Sequence, residues 1–244
     1  MRKKMRKVLD YNITGHDTDY YRCISPTSYL KIAETACFIA SETEGMLMQR
    51  MIDEMQATWM TASFQLEIFK DIFYVGPVEV FVDPFVKNGV VFTRTGHILR
   101  NGIEIARFHM NTMAVNFNTR KVMAPEIIAD HFGVSYIVAS GAPARLGMPN
   151  DMEIFESYKV RYSDCDHNQH LRAYEYVNLI CDAAEYWTGS VREKKGRALN
   201  VEFIGECRAG ETLTISRKFT PEAVYVSGVR PDGKPSFRAY FVME

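Results

Sequence analysis

Little in this sequence marks a special environment, and each absence excludes something. No C-x-x-C pair occurs, and the five cysteines (Cys23, Cys37, Cys165, Cys181 and Cys207) are an odd number. This argues against a disulfide framework or a zinc knuckle and for reduced thiols in a cytoplasm. There is no excess of one charge: 29 Lys+Arg face 30 Asp+Glu. No global field therefore points to nucleic acid or a membrane surface. No run approaches the roughly 18 apolar residues of a membrane span. The basic start MRKKMRKVLD leads into no apolar stretch of about 7–15 residues, so no secretory signal is expected.

What the chain does have is core. Of its 244 residues, 47% are hydrophobic, enough for one large core or two of roughly 100–120 residues each. An internal repeat favours two. Residues 11–37 laid over 158–184 place Ile13 on Val160, Asp17 and Asp19 on Asp164 and Asp166, and Tyr29 on Tyr176. Both copies then carry an apolar stripe at helical spacing. The first stripe is Tyr29, Leu30, Ala33, Ala36, Cys37 and Ala40; the second is Tyr176, Val177, Ile180, Cys181, Ala184 and Trp187.

After each helix the period falls to two. Val78, Val80 and Val82 alternate with polar or outward residues, as do Ala106, Phe108 and Met110, Leu213 and Ile215, and Phe237, Ala239 and Phe241. Such rows are strands with one buried face. Asn88-Gly89, Asn101-Gly102 and Asp232-Gly233 are hairpin turns between them. Each half thus reads as strand, long helix and antiparallel strands, an α+β arrangement in which the helix covers the sheet. A Gly-, Pro- and Ala-rich stretch, ASGAPARLGMPN, divides the halves. The expected units are residues 1–130, a linker at 131–154, and residues 155–244.

The repeat allows the halves to be compared. Both keep Asp-x-Asp, but the second continues with Asn168 and His170 where the first has Tyr21 and Cys23. Asp166, Asn168 and His170 fall at i, i+2 and i+4, one face of an extended segment. Four chemistries compete for YSDCDHNQH, residues 162–170. Asp164, Asp166, Asn168 and Glu175 match positions of a calcium loop, but Gln169 stands where the turn needs Gly. Asp164, Asp166, His167 and His170 offer donors to a transition metal. The acids and the amide also suit a polar turn capping the next helix. Acid–base or polarising chemistry is the fourth reading. Downstream, Glu206-Cys207 ends a strand-like run, where Glu is ordinarily a solvated turn residue.

With Asp166-x-Asn168-x-His170 followed by Glu206-Cys207, the sequence resembles the acyl-acyl-carrier-protein thioesterases of plants and bacteria over nearly its whole length. The family's W/Y-S-D-x-D-x-N-x-H segment is matched by residues 162–170, and its Glu-Cys pair by Glu206-Cys207. The first half matches more loosely, through ATWMTASFQLEIFKDIFYVGPVEV and NGIEIARFHMNTMAVNFNTRKVMAPEI. Leu171-Arg172-Ala173 departs from the family's Val-Asn-Asn. The resemblance implies two tandem hotdog domains, each an antiparallel sheet wrapped around a long central helix. The first would be a catalytically degenerate scaffold and substrate wall, the second the catalytic domain.

The implied reaction is hydrolysis of fatty acyl-acyl carrier protein to free fatty acid, without cofactor or metal. Glu206 would act as general base or indirect activator of water. Asn168 would hold the carbonyl or the water, and His170 would position water or protonate the leaving sulfur. Asp166 would orient them. Cys207 stands as an alternative nucleophile with His170 as its base, although an adjacent Glu opposes thiolate formation. The start of the helix near Ala173 and Tyr174 can offer an N–H to the developing oxyanion. Arg192, Lys194, Lys195 and Arg197 form either a docking patch for the acidic carrier protein or a solvated helix exit. An acyl-coenzyme A thioesterase, a hotdog dehydratase and a non-catalytic acyl-binding protein are the other readings, and association into a homodimer is left open.

Overall fold

The computed structural model describes residues 5–71, 75–139, 145–186 and 197–242. The first half runs β1 (Arg6–Ile13), α1 (Pro26–Thr43), α2 (Met48–Met55), β2 (Ala57–Ile68), β3 (Gly76–Val82), β4 (Val86–Asn88), β5 (Val91–Arg100), β6 (Ile103–Asn116), α3 (Pro125–Phe132) and β7 (Ile137–Val138). The second runs β8 (Glu153–Lys159), α4 (Ala173–Ala183), β9 (Arg197–Phe203), β10 (Thr212–Phe219), β11 (Ala223–Val229) and β12 (Pro235–Val242). All these strands join one sheet, whose main path is β1-β3-β5-β6-β2-β9-β12-β11-β10-β8. The order in one half mirrors that in the other. Strands β2 and β9 meet antiparallel, with Phe64 opposite Val201 and Leu66 opposite Leu199.

The alternating rows become buried faces as the period requires. Val78, Val80, Val82, Ala106, Phe108, Leu213, Ile215, Phe237 and Phe241 are all buried. The helices lie against this face. The stripe from Tyr29 to Ala40 is buried, as are Tyr176, Val177, Ile180 and Ala184; Trp187 lies outside the described residues. One apolar cluster runs through both halves, from Ile13 and Leu30 to Val226 and Phe241. Helices α1 and α4 pack side by side, and Thr27 Oγ1 donates to Asn178 Oδ1 at 2.6 Å. Among the described residues no helix is long and apolar enough to cross a membrane.

Two features of the first half have no counterpart in the periodicity. Helices α2 and α3 cap a second cluster of Met46, Met51, Phe85, Phe92, Ile128 and Val134. The segment expected to link the halves from residue 131 begins with the end of α3 and continues into β7, which pairs parallel with β4. The chain then reaches β8 at Glu153.

The two sheets share one further device. Gly96 lies opposite Phe108 and Gly228 opposite Phe237, each ring lying over its glycine. A Cβ on either glycine would fall inside the ring. Gly96→Ala and Gly228→Ala are each expected to cost about 1–3 kcal/mol through overpacking, read as a fall of several degrees in Tm by thermal melting. Ala at the open turn residue Gly147, which has nothing near its Cβ position, is the control and should leave Tm in place.

Candidate active site

The chain between β8 and α4 is a closed loop rather than an extended segment. Tyr162–Asp164 makes a 3-10 turn. Cys165 and Leu171 then form an antiparallel bridge. Between them the Asp166 N–H donates to the His170 carbonyl at 3.2 Å, and the Gln169 N–H to the Asp166 carbonyl at 3.0 Å. Gln169 has φ 65°, which an amide side chain tolerates in so tight a turn. Asp166, Asn168 and His170 are therefore grouped by loop closure, not along one face of a strand as their spacing predicts.

Asp166 is the centre of that closure. Its Oδ1 accepts the Asn168 N–H at 2.8 Å. Asp164 is buried and closes the turn before it, accepting from the Tyr158 hydroxyl at 2.7 Å and the Arg161 N–H at 2.7 Å. Burial would raise the Asp164 pKa, but these hydrogen bonds outweigh it and hold the carboxyl below its ordinary value. The first half repeats every bond. Asp17 accepts from Tyr11 at 2.8 Å and the Thr14 N–H at 2.8 Å. Asp19 Oδ1 accepts the Tyr21 N–H at 2.9 Å, and Arg22 has φ 65°. The repeated acids thus build the loop in both halves. Of the oxygens a calcium loop would use, those of Asp164 and the Oδ1 of Asp166 already accept from N–H and O–H donors. Among the described residues, no group of three His, Cys, Asp or Glu side chains could hold a metal ion.

What differs between the halves faces a cleft of about 680 Å³. Asp166, His167, Asn168 and His170 line its second-half side. The His170 Nδ1 lies 3.1 Å from the Leu171 carbonyl. A carbonyl only accepts, so Nδ1 carries the proton and Nε2 is left as an acceptor. That Nε2 is buried and has no partner. The Asn168 side-chain amide likewise makes no hydrogen bond among the described residues. The start of α4 differs in the same sense. In α1, Ser25 caps the first turn by accepting the Ser28 N–H at 3.1 Å, and Pro26 removes another donor. In α4, Arg172 makes no side-chain cap and Ala173 takes the proline's place. Ala173 and Tyr174 line the cleft, where uncapped N–H groups and the helix dipole favour negative charge.

Glu206 reaches the cleft from the turn after β9. The Leu171 N–H donates to the Cys207 carbonyl at 2.8 Å, which ties this turn to the histidine loop. Gly205 lets it pass: a Cβ there would come 3.0 Å from the Pro235 carbonyl oxygen. The Glu206 carboxylate pairs with Arg120, which comes from the other half of the molecule. The first half supplies the rest of the wall, including Trp59, Met60, Phe85, Met110 and Met113, together with Glu34 and Thr61.

Two sequence expectations change. Cys207 is fully buried and does not line the cleft. Burial, reinforced by Glu211, pushes its thiol up to about 12, which disfavours the thiolate that a nucleophile needs. Its part is the carbonyl that holds Leu171. Arg197 is also buried, donating to the Tyr186 hydroxyl at 3.0 Å and pairing with Asp71 across the seam. It cannot meet a carrier protein. Arg192, Lys194 and Lys195 lie outside the described residues. Arg120 and Glu34 carried no sequence signal, because each belongs to the site only through contacts between the halves.

Residues 148–231 match the family model described as the acyl-ACP thioesterase C-terminal domain. No curated protein matches the chain in sequence. Among solved structures, the chain is similar to an acyl-ACP thioesterase from Bacteroides thetaiotaomicron, with 15% identity, a TM-score of 0.75 and 98% of each chain covered. It is also similar to the 12:0-ACP thioesterase from Umbellularia californica, with 16% identity, a TM-score of 0.79 and coverage of 98% of this chain and 97% of that one. A MaoC-like dehydratase from Phytophthora capsici is less similar, with 14% identity and a TM-score of 0.56 over 76% of this chain and 69% of that one. These likenesses show the fold, α+β with two hotdog halves in tandem, and one fold hosts more than one reaction. The family match goes further, since its span contains the loop at 162–170 and Glu206.

Burial of Cys207 has a direct test. Cys207→Ala is expected to keep its turnover within a small factor, while Tm falls slightly. Alkylation of the native protein at pH 8, mapped by mass spectrometry, should leave Cys207 unmodified and label it only after unfolding. Complete loss of turnover in a folded Cys207→Ala protein would restore the thiol as nucleophile.

Proposed function

We propose that the chain is an acyl-ACP thioesterase that hydrolyses fatty acyl thioesters of acyl carrier protein, as the match of residues 148–231 to that family's C-terminal domain supports, and that its own residues divide the reaction as follows. The observation that carries the assignment is the His170 ring, which lines the cleft with Nδ1 tied to a backbone carbonyl and Nε2 buried without a partner. A neutral imidazole held in this way is a general base without a competing partner.

The acyl chain lies along the apolar wall of Trp59, Phe85, Met110 and Met113, and its thioester stops beside the start of α4. His170 Nε2 takes a proton from water as the water oxygen attacks the carbonyl carbon. The N–H groups at Ala173 and Tyr174, with the Asn168 amide, receive the charge that develops on the carbonyl oxygen. Collapse of the tetrahedral intermediate breaks the C–S bond. The proton on His170 passes to the departing sulfur, releasing free fatty acid and the carrier's thiol.

Glu206 orients the water and offsets the positive charge that grows on His170. Protonating Glu206 itself would break its ion pair with Arg120, so we assign the proton to the imidazole. Asp166 shapes the loop and touches no reacting atom. For the acidic carrier protein we keep Arg192, Lys194 and Lys195 as the docking surface, in a reducing cytoplasm that suits five free cysteines. The β2–β9 seam joins two hotdog halves within one chain, so the cleft does not require a homodimer to complete it.

Turnover of acyl-acyl carrier protein, followed by release of free thiol beside the matching acyl-coenzyme A, tests these roles. His170→Ala is expected to lower kcat by ~10²–10⁴, and Asn168→Ala by ~10²–10³, with folding intact by circular dichroism. Wild-type preference for coenzyme A would keep the chemistry and replace the carrier. A His170→Ala enzyme with undiminished kcat would remove the imidazole from the mechanism.

A further inference from the structure

One acid in the cleft has no part in this reaction. Glu34 sits on α1, in the half without catalytic residues, and lines the cleft opposite the histidine loop. Position 34 corresponds in the repeat to Cys181, so the shared scaffold does not call for a carboxyl there. The same comparison singled out Asn168 and His170. The first-half lining of the cleft includes the apolar Cys37, Phe38, Met60 and Met110, with the polar Thr35 and Thr61 among them. A saturated acyl group gives this carboxyl nothing in return for its desolvation.

The carboxyl is held by one bond. Thr61 Oγ1 donates to Glu34 Oε1 at 3.1 Å. The register of β2 shifts between Thr61 and Ser63, and such a bulge re-aims side chains beside a site. Glu34 Oε2 has no partner among the described residues. Burial is the main influence on this group, and the nearby Asp166 carboxylate adds to it, so the pKa is pushed up to about 7. Asp166 is committed as an acceptor to the Asn168 N–H. With its pKa near 7, Glu34 carries a proton in much of the population at neutral pH. Oε2 then presents an O–H into the cleft, close to the loop that handles the thioester.

We propose that Glu34, steadied by Thr61, is a specificity-determining residue that hydrogen-bonds an oxygen substituent on the acyl chain a few carbons from the thioester, so that the enzyme selects hydroxyacyl over saturated acyl substrates. The inference rests on the thioesterase reading above. A site built to pair with a substrate hydroxyl discriminates against the analogue lacking it, because its own polar group is then left unpaired. The neutral acid can donate to the substituent oxygen, and Oε1 can accept from its hydrogen.

The test compares kcat/KM for a 3-hydroxyacyl-acyl carrier protein with that for the saturated acyl-acyl carrier protein of equal length. Wild type, Glu34→Leu, Glu34→Gln and Thr61→Val are measured, each with Tm recorded. Wild type is expected to favour the hydroxyacyl substrate by roughly tenfold or more. Glu34→Leu should bring that ratio close to one, Glu34→Gln, which keeps a donor, should retain part of it, and Thr61→Val should weaken it. Equal kcat/KM for both substrates in wild type, or a ratio unchanged in Glu34→Leu, overturns the proposal while leaving the hydrolase in place. No hydrolysis of either substrate by folded wild type overturns the thioesterase reading and this inference with it.

Discussion

Everything that spans the molecule depends on one row of backbone hydrogen bonds, the antiparallel seam between β2 and β9. Without the seam each half would carry a sheet with an open edge at β2 or β9, and an unpaired edge is a liability for any sheet. Joining the two edges removes both liabilities and places α1 beside α4. The cleft is a consequence of that placement. Its floor comes from α1 and β2, its reactive rim from the loop before α4 and the turn after β9. Two ion pairs follow the same line of contact, Arg197 with Asp71 and the half-buried Arg120 with Glu206. Both join one half to the other. Such pairs gain from the low-dielectric seam but specify geometry more than they add stability.

Within this frame, duplication separates scaffold from chemistry. The Asp-centred loop closes in the same way twice, with the same partners and the same left-handed residue at Arg22 and Gln169. A structure needed in both halves cannot be explained by a reaction that occurs in one. The acids of the motif are therefore architectural, even though acids are the residues that most readily suggest catalysis. The Asn168 amide and the His170 Nε2, present once, are left without partners among the described residues, and so is the uncapped start of α4. In the first half the equivalent helix is capped by Ser25 and Pro26. The second half has unsatisfied polar groups where the first has satisfied ones, a pattern that marks a candidate site.

The carboxyls of the cleft are divided by environment in a similar way. Glu206 is paired with the Arg120 guanidinium. Glu34 is set among apolar side chains and holds its proton near neutrality. Two acids of one residue type thus serve as a charge and as a donor, with burial and partner deciding between them. The apolar wall from the first half keeps water from levelling that difference, since fields are stronger where water is excluded.

Much of the architecture was legible in the order of residues, because secondary structure and local loops depend on neighbours. The helical stripes, the strands of period two, the hairpin turns and the repeat all follow from short-range sterics and burial of one face. So does the grouping of Asp166, Asn168 and His170, although their closed loop requires a left-handed Gln169 that spacing alone does not reveal. Helices α2 and α3 escaped notice because their burial is against a second, smaller cluster built from distant segments. Glu206 and Cys207 were adjacent in sequence and equivalent as candidates; only packing turned one into the cleft and buried the other. Arg197 read as a surface cation and proved to be a buried strut. Arg120, Glu34 and Thr61 had no local pattern at all. The sequence by itself determined what each half is and which half differs. The tertiary structure alone decided which side chains meet across the seam, because those contacts join residues far apart in the chain, and their protonation and reactivity are set by neighbours that no local pattern can name.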